Sequence, residues 1–127
     1  MKSTRPPKPL AALSALLLLP FFHAAAGESA RLLEWRDKAA QGDASAMTSI
    51  GFAYFQGAEG VGQDRAEGVD WFKKGAAAGD RNAMNNLGII YRDGAGIEAD
   101  RAESHAWFLK AAEAGLVPAQ YSVGQNY

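Results

Sequence analysis

The chain has 127 residues, with 13 Lys and Arg against 14 Asp and Glu, 48% hydrophobic residues and no cysteine. That length and balance fit one modest domain whose core is built by packing alone, since neither disulfide staples nor a lipid-modified cysteine is available. No basic stripe occurs, which excludes nucleic acid and anionic membrane surfaces as partners.

Met1 to Ala26 differs in composition from everything after it. Lys2, Arg5 and Lys8 give a positive start, Leu10 to Phe22 is an almost unbroken apolar run, and Ala24, Ala25 and Ala26 supply small residues before a cut. This is the pattern of a signal peptide, expected to be cleaved after Ala26 and to leave a soluble periplasmic or secreted product. An uncleaved anchor is the competing reading, but the run falls short of the roughly 20 apolar residues a spanning helix needs, and Pro20 interrupts it. Losing the three leader cations leaves ten Lys and Arg against all 14 Asp and Glu, a net charge of −4 over residues 27–127.

The remainder repeats itself. Ala46 to Asn82 and Ala83 to Pro118 align in order with a period of 36 or 37 residues. Ala46-Met47, Gly51, Tyr54, Gly57 and Asp64-Arg65-Ala66-Glu67 match Ala83-Met84, Gly88, Tyr91, Gly94 and Asp100-Arg101-Ala102-Glu103. Trp71-Phe72, Lys74 and Gly79 match Trp107-Phe108, Lys110 and Gly115 in the same way. Trp35 to Gly42 resembles the last third of a unit, and the stretch from Ala119 to Tyr127 resembles the first third. The expected organisation is therefore a leader (1–26), an N-terminal partial repeat (27–42), repeat 1 (43–79), repeat 2 (80–115) and a truncated third repeat (116–127).

Each unit reads as two helices, A and B, because apolar and small residues recur at three- and four-residue spacing while glycines sit at the joints. Ala83, Leu87, Gly88 and Tyr91 share a face of helix A, and Trp107, Phe108, Ala111 and Ala112 a face of helix B. Asp64 and Asp100, each followed three residues later by Glu67 or Glu103, form capping arrangements for the B helices, and Asp80 is placed to cap the A helix of repeat 2. Gly79 and Gly115 end the B helices in the left-handed conformation glycine tolerates. Gly51 and Gly88 leave room for a neighbouring backbone, and Trp71 and Trp107 are expected to fill that space as core.

The run Ala-x-x-x-Leu-Gly-x-x-Tyr, Gly-x-Gly-Ile, Asp, Trp-Phe-x-Lys-Ala-Ala-x-x-Gly in the second unit resembles the Sel-1-like repeat, a family related to tetratricopeptide repeats. The likeness covers two near-complete copies. Gly68, Ser104 and Gly75 stand where the family usually has alanine, and the loop Gly57 to Val61 carries one extra residue; these departures are expected to weaken helices locally.

The resemblance implies an all-α, right-handed superhelix of antiparallel helix pairs, acting as an adaptor or regulator in the envelope by binding a protein or peptide, with no active site and no cofactor. It also implies binding through the concave face lined by the A helices. By spacing, those positions are Thr48, Phe52, Phe55 and Gln56 in repeat 1, Asn85, Ile89, Arg92 and Asp93 in repeat 2, and Tyr121 and Gln125 in the truncated third. An ordinary solvated helix face is the competing reading of these residues.

Catalytic alternatives are thinner. His105 is the one histidine after the leader, and without Cys or a second His it makes neither an ordinary zinc site nor a triad. Asp64, Asp70, Asp93 and Asp100 are spread over cap and surface positions, and Gly94-Ala-Gly96 follows a helix and lacks the Gly-Lys-Ser/Thr ending of a phosphate loop. An envelope hydrolase of the β-lactamase-like kind stays as the second function class, although the relatives linked to that activity are cysteine-rich. A shortened relic of a longer array is a third. With no closing helix B after Tyr127, the C-terminal edge is expected to fray or to self-associate.

Overall fold

Five helices follow one another without a strand among the described residues, 27–115, of the computed structural model: α1 (Ala30–Ala40), α2 (Ala44–Gln56), α3 (Arg65–Ala77), α4 (Arg81–Asp93) and α5 (Arg101–Glu113). The leader and the truncated third repeat, with Tyr121, Gln125 and the expected frayed edge, lie outside those residues. Each helix starts on a side-chain cap. Asp43, Asp64, Asp80 and Asp100 accept from main-chain amides in the first turns of α2 to α5, and Ser29 does the same for α1.

The expected caps form, with one difference. Asp64 and Asp100 accept from the amides of Glu67 and Glu103 at 3.0 and 3.1 Å. Their own amides instead donate to the carbonyls of Tyr54 and Tyr91, both at 2.8 Å, tying the start of each B helix to its A helix. Glu67 is thereby released from the reciprocal half of a capping box, and its carboxylate accepts from Trp71 Nε1 at 3.0 Å.

Within a repeat, helix A and helix B meet at a glycine. A Cβ on Gly51 would come within 2.7 Å of the Phe72 ring, and one on Gly88 within 2.5 Å of the Phe108 ring. The residues that fill the space beside these glycines are therefore Phe72 and Phe108, 1% and 0% exposed, and not Trp71 and Trp107. Successive helical residues point about 100° apart, so only one member of the Trp-Phe pair can face its own A helix. The tryptophans are half-buried and turn towards the preceding layer. Trp71 packs on the cluster of Leu32, Ala39, Ala46, Ile50 and Ala53, and Trp107 on that of Val69, Phe72, Ala76, Ala83, Leu87 and Ile90. Lys74 and Lys110 lie over their outer faces, 4.1 and 4.5 Å from the ring centres.

The departures from alanine prove to be packing devices. A Cβ on Gly68 would sit 2.8 Å from the Gly51 carbonyl oxygen and 2.9 Å from Phe55 Cβ, so α2 and α3 approach through two glycines. The equivalent Ser104, fully buried, keeps its side chain and donates from Oγ to the Gly88 carbonyl at 2.7 Å. Gly75 makes room for the Thr48 hydroxyl, whose Oγ1 donates to the Ala44 carbonyl at 3.1 Å.

The extra residue in the first A–B loop has a place as well. Glu59 adopts a left-handed φ of 58°, and its carbonyl accepts from the Ser29 amide at 2.9 Å while its carboxylate takes the Ser29 hydroxyl at 2.5 Å. A Cβ on the following Gly60 would collide with the Gly27 main chain. Arg36 completes the clasp by donating to Glu28 at 3.0 Å and to the Tyr54 hydroxyl at 2.8 Å, bonds that hold its guanidinium above its ordinary pKa against the opposing effect of burial. In α1 the Asp43 amide donates to Lys38 as the Asp80 amide donates to Gly75, which sets Trp35 at the position of Phe72.

Gly88→Ala should destabilise the fold by about 1–3 kcal/mol, because the buried Phe108 ring has nowhere to retreat. Ser104→Ala should cost less, about 1 kcal/mol for one lost hydrogen bond. Urea denaturation checks both, and equal stability of Gly88→Ala and the parent would contradict the close approach.

Candidate functional site

The two A helices that flank α3 run side by side, and a groove opens between them. Two adjoining recesses of about 280 and 180 Å³ make it up, and Phe52 and Asn86 line both. Its two ends differ in chemistry. Ser45, Thr48 and Ser49 of α2 meet Asp80 and Asn82 at the start of α4 in one recess. Phe55, Gln56, Ile89 and Ile90 surround the other, with Phe72 at its floor.

The aromatic end is shaped by the same contact that seats α3 on α2. Phe52 meets Phe72 edge-on with ring centres 5.0 Å apart, and Phe55 meets it tilted at 6.0 Å. Phe72 is held by the Gly51 approach, so Phe52 and Phe55 stand on a rigid base. Phe52 and Ile89 occupy equivalent positions in the two repeats and are 42% and 36% exposed, two of the four large apolar side chains left open to solvent among the described residues. Across the groove they form a pair of apolar lips. Arg65 lies against the outer side of this end, 5.4 Å from the Phe55 ring centre.

The structure brings together five of the positions expected from spacing: Thr48, Phe52, Phe55, Gln56 and Ile89 line the groove. Thr48 does so as floor, since it is only 5% exposed and its hydroxyl is spent on Ala44. Asn85, Arg92 and Asp93 line neither recess. Asn85 is half-buried, and its Oδ1 is enclosed without a hydrogen-bond partner. Arg92 and Asp93 pair with each other at 2.9 Å on the surface, a bond that raises the guanidinium pKa. Ser45, Ser49, Asn82, Asn86 and Ile90 were not expected. Counting from Phe52 by three, four and seven residues in α2, and from Ile89 in the same way in α4, reaches Ser45, Ser49, Asn82 and Asn86. Asn86 also has an enclosed side-chain nitrogen, Nδ2, without a partner.

The residues considered for catalysis are scattered. Asp64 and Asp100 cap α3 and α5, Asp93 is paired with Arg92, Asp70 is exposed on α3 and His105 is half-buried on α5. Among the described residues no three His, Asp or Glu side chains group as metal ligands would, and no helix is long and apolar enough to cross a membrane.

Comparison with known proteins accords with this geometry. The family model described as Sel1 repeat matches residues 44–80 and 81–116. A Sel1 repeat protein from Oxalobacter formigenes superposes with a TM-score of 0.70 at 33% identity, covering 76% of this chain and 71% of that one. The c5321 protective antigen of uropathogenic Escherichia coli superposes at 0.50, also at 33% identity, over 74% of this chain but 28% of its own length. In Arabidopsis thaliana, the ERAD-associated E3 ubiquitin-protein ligase component HRD3A is 38% identical over 69 residues, 54% of this chain and 10% of that protein.

Phe52→Ala, which removes a half-exposed ring, should lower stability by about 1 kcal/mol. Phe72→Ala should cost about 3–5 kcal/mol by opening a cavity. Thermal melts of the two variants distinguish lip from floor, and a Phe52 effect as large as that of Phe72 would make the lip part of the core.

Proposed function

From the premise that this chain belongs to the Sel1 repeat family, whose members are protein-interaction modules, we propose that it works as an adaptor or regulator and holds a segment of its partner in the groove between α2 and α4. One observation carries this reading: Phe52 and Ile89 are left open on either side of a preformed recess, on the same A-helix position of successive repeats. An apolar pair kept in water has a cost that burial against a partner removes, and such anchors dominate binding energy at interfaces. The groove is preorganised by glycine packing beneath it, so little ordering is needed on the receptor side.

We further propose that the adaptor acts outside the cytoplasm of a bacterium. The leader-like composition of Met1 to Ala26 supports this. Folded structure starts close behind the proposed cut, since the main chain at Gly27 is already held against Gly60. Cleavage after Ala26 would leave Ser29 free to cap α1.

Two measurements check the reading. A photo-crosslinking residue at Asn86 should capture a partner protein in intact cells, whereas the same residue at Asp70, on the exposed side of α3, should not; the reverse pattern would place binding elsewhere. Cell fractionation with N-terminal sequencing should find the protein outside the cytoplasm and beginning at Gly27. Recovery of an intact Met1 in the cytosol would refute export.

A further inference from the structure

The groove is chemically directional. At its apolar end Phe52, Phe55 and Ile89 offer rings and a branched chain, and at its other end hydroxyl and amide groups surround Asp80. Among the described residues that line either recess, Asp80 is the one that carries a charge. Its Oδ1 accepts from the Asn82 amide at a long 3.3 Å, which leaves the second carboxylate oxygen uncommitted. The adjacent Arg81 offers no compensation, because its guanidinium reaches away to the Ala114 carbonyl at the end of α5. Arg65 sits at the opposite, apolar end, over Phe55. Residues 27–127 as a whole carry a net charge of −4.

Building on the reading of this groove as the docking site, we propose that its occupant is an extended segment of a partner protein that pairs one bulky apolar side chain with a lysine or arginine two residues away. The apolar group fills the recess between Phe52 and Ile89, and the cation lies against Asp80. Distance sets the spacing. Ser45 and Phe52 are seven residues apart on α2, about 10 Å along its axis. An extended chain advances about 3.3 Å per residue and turns every second side chain to the same side. Two residues therefore bridge most of the interval with both side chains facing inward, and the long stem of Lys or Arg covers the rest. An acidic segment is disfavoured, because the residues lining the polar end include no cation and Asp80 repels it.

The test uses the full chain, with the Asn86 side-chain amide as an NMR reporter, and capped pentapeptides Ser-Trp-Ser-X-Ser in which X is Lys, Gln or Glu. The lysine peptide should shift the Asn86 signal and bind about two- to fivefold more tightly than the glutamine peptide, the range of a partly exposed ion pair, with the glutamate peptide weakest. Asp80→Asn keeps a good helix cap while removing the charge, and should abolish the order among the three peptides. Moving the lysine next to the tryptophan points it out of the groove and should erase its advantage. If all three peptides shift Asn86 equally, the cationic preference is overturned while the groove remains a docking site. If none shifts Asn86 and crosslinking from Asn86 also captures nothing, the docking reading fails and takes this inference with it.

Discussion

The close seating of a phenylalanine ring on a glycine governs this structure. Where Phe72 rests on Gly51 and Phe108 on Gly88, the two helices of each repeat come nearer than any side chain at those glycines would permit. That approach decides the rest by exclusion. With Phe committed to its own A helix, the neighbouring Trp must turn to the preceding layer, where it joins the cluster between one repeat and the next. Contact inside a unit thus rests on a ring seated against a glycine, and contact between units on the tryptophan and the apolar cluster it joins, so that each unit leans on its neighbour as solenoid repeats do.

The two repeats reach this common geometry by different local means. Repeat 1 places Gly68 opposite the Gly51 carbonyl and packs by absence, whereas repeat 2 places Ser104 opposite the Gly88 carbonyl and packs by a hydrogen bond. Glycine within a helix costs on the order of 1 kcal/mol against alanine. In repeat 1 the tighter seating that it permits, with Phe52 and Phe55 both against Phe72, offsets this. The aromatic lining of the groove therefore belongs to repeat 1, and repeat 2 contributes the aliphatic lip with Asn82 and Asn86.

Periodicity made the helices, their order and their caps legible in the sequence, because Asp64 and Asp100 open matching Asp-Arg-Ala-Glu runs and Asp80 follows directly on a glycine that can end a helix. The inner register was not legible to the same degree. Trp71-Phe72 is an adjacent pair in which size favours tryptophan as core, and only the distance between helices, which no spacing reveals, selects the smaller ring. The groove was half legible for a related reason. On α2 the spacing reaches Thr48, Phe52, Phe55 and Gln56 but not Ser45 and Ser49, and on α4 it reaches Arg92 and Asp93, which satisfy each other at the surface, in place of Asn82, Asn86 and Ile90. Stepping by three and seven residues from Ile89 back towards Asp80 reaches Asn86 and Asn82, whereas no such spacing marks Ile90. The partner role of Glu59 had no sequence signal, since it depends on a loop and a helix start 30 residues apart meeting in space.

That clasp also bears on how the groove keeps its shape. The longer loop of repeat 1 fastens α1, the first of the described helices, to the pair behind it. Glu59 binds the start of α1 through main chain and side chain together, and Arg36 joins α1 to Tyr54 on α2. Tyr54 in turn passes its carbonyl to the Asp64 amide at the start of α3. A continuous chain of bonds then runs from α1 through α2 to the helix that supplies Phe72, the floor of the apolar recess. The residue inserted relative to repeat 2 therefore fastens α1 to the helix pair that carries the groove without itself lining it.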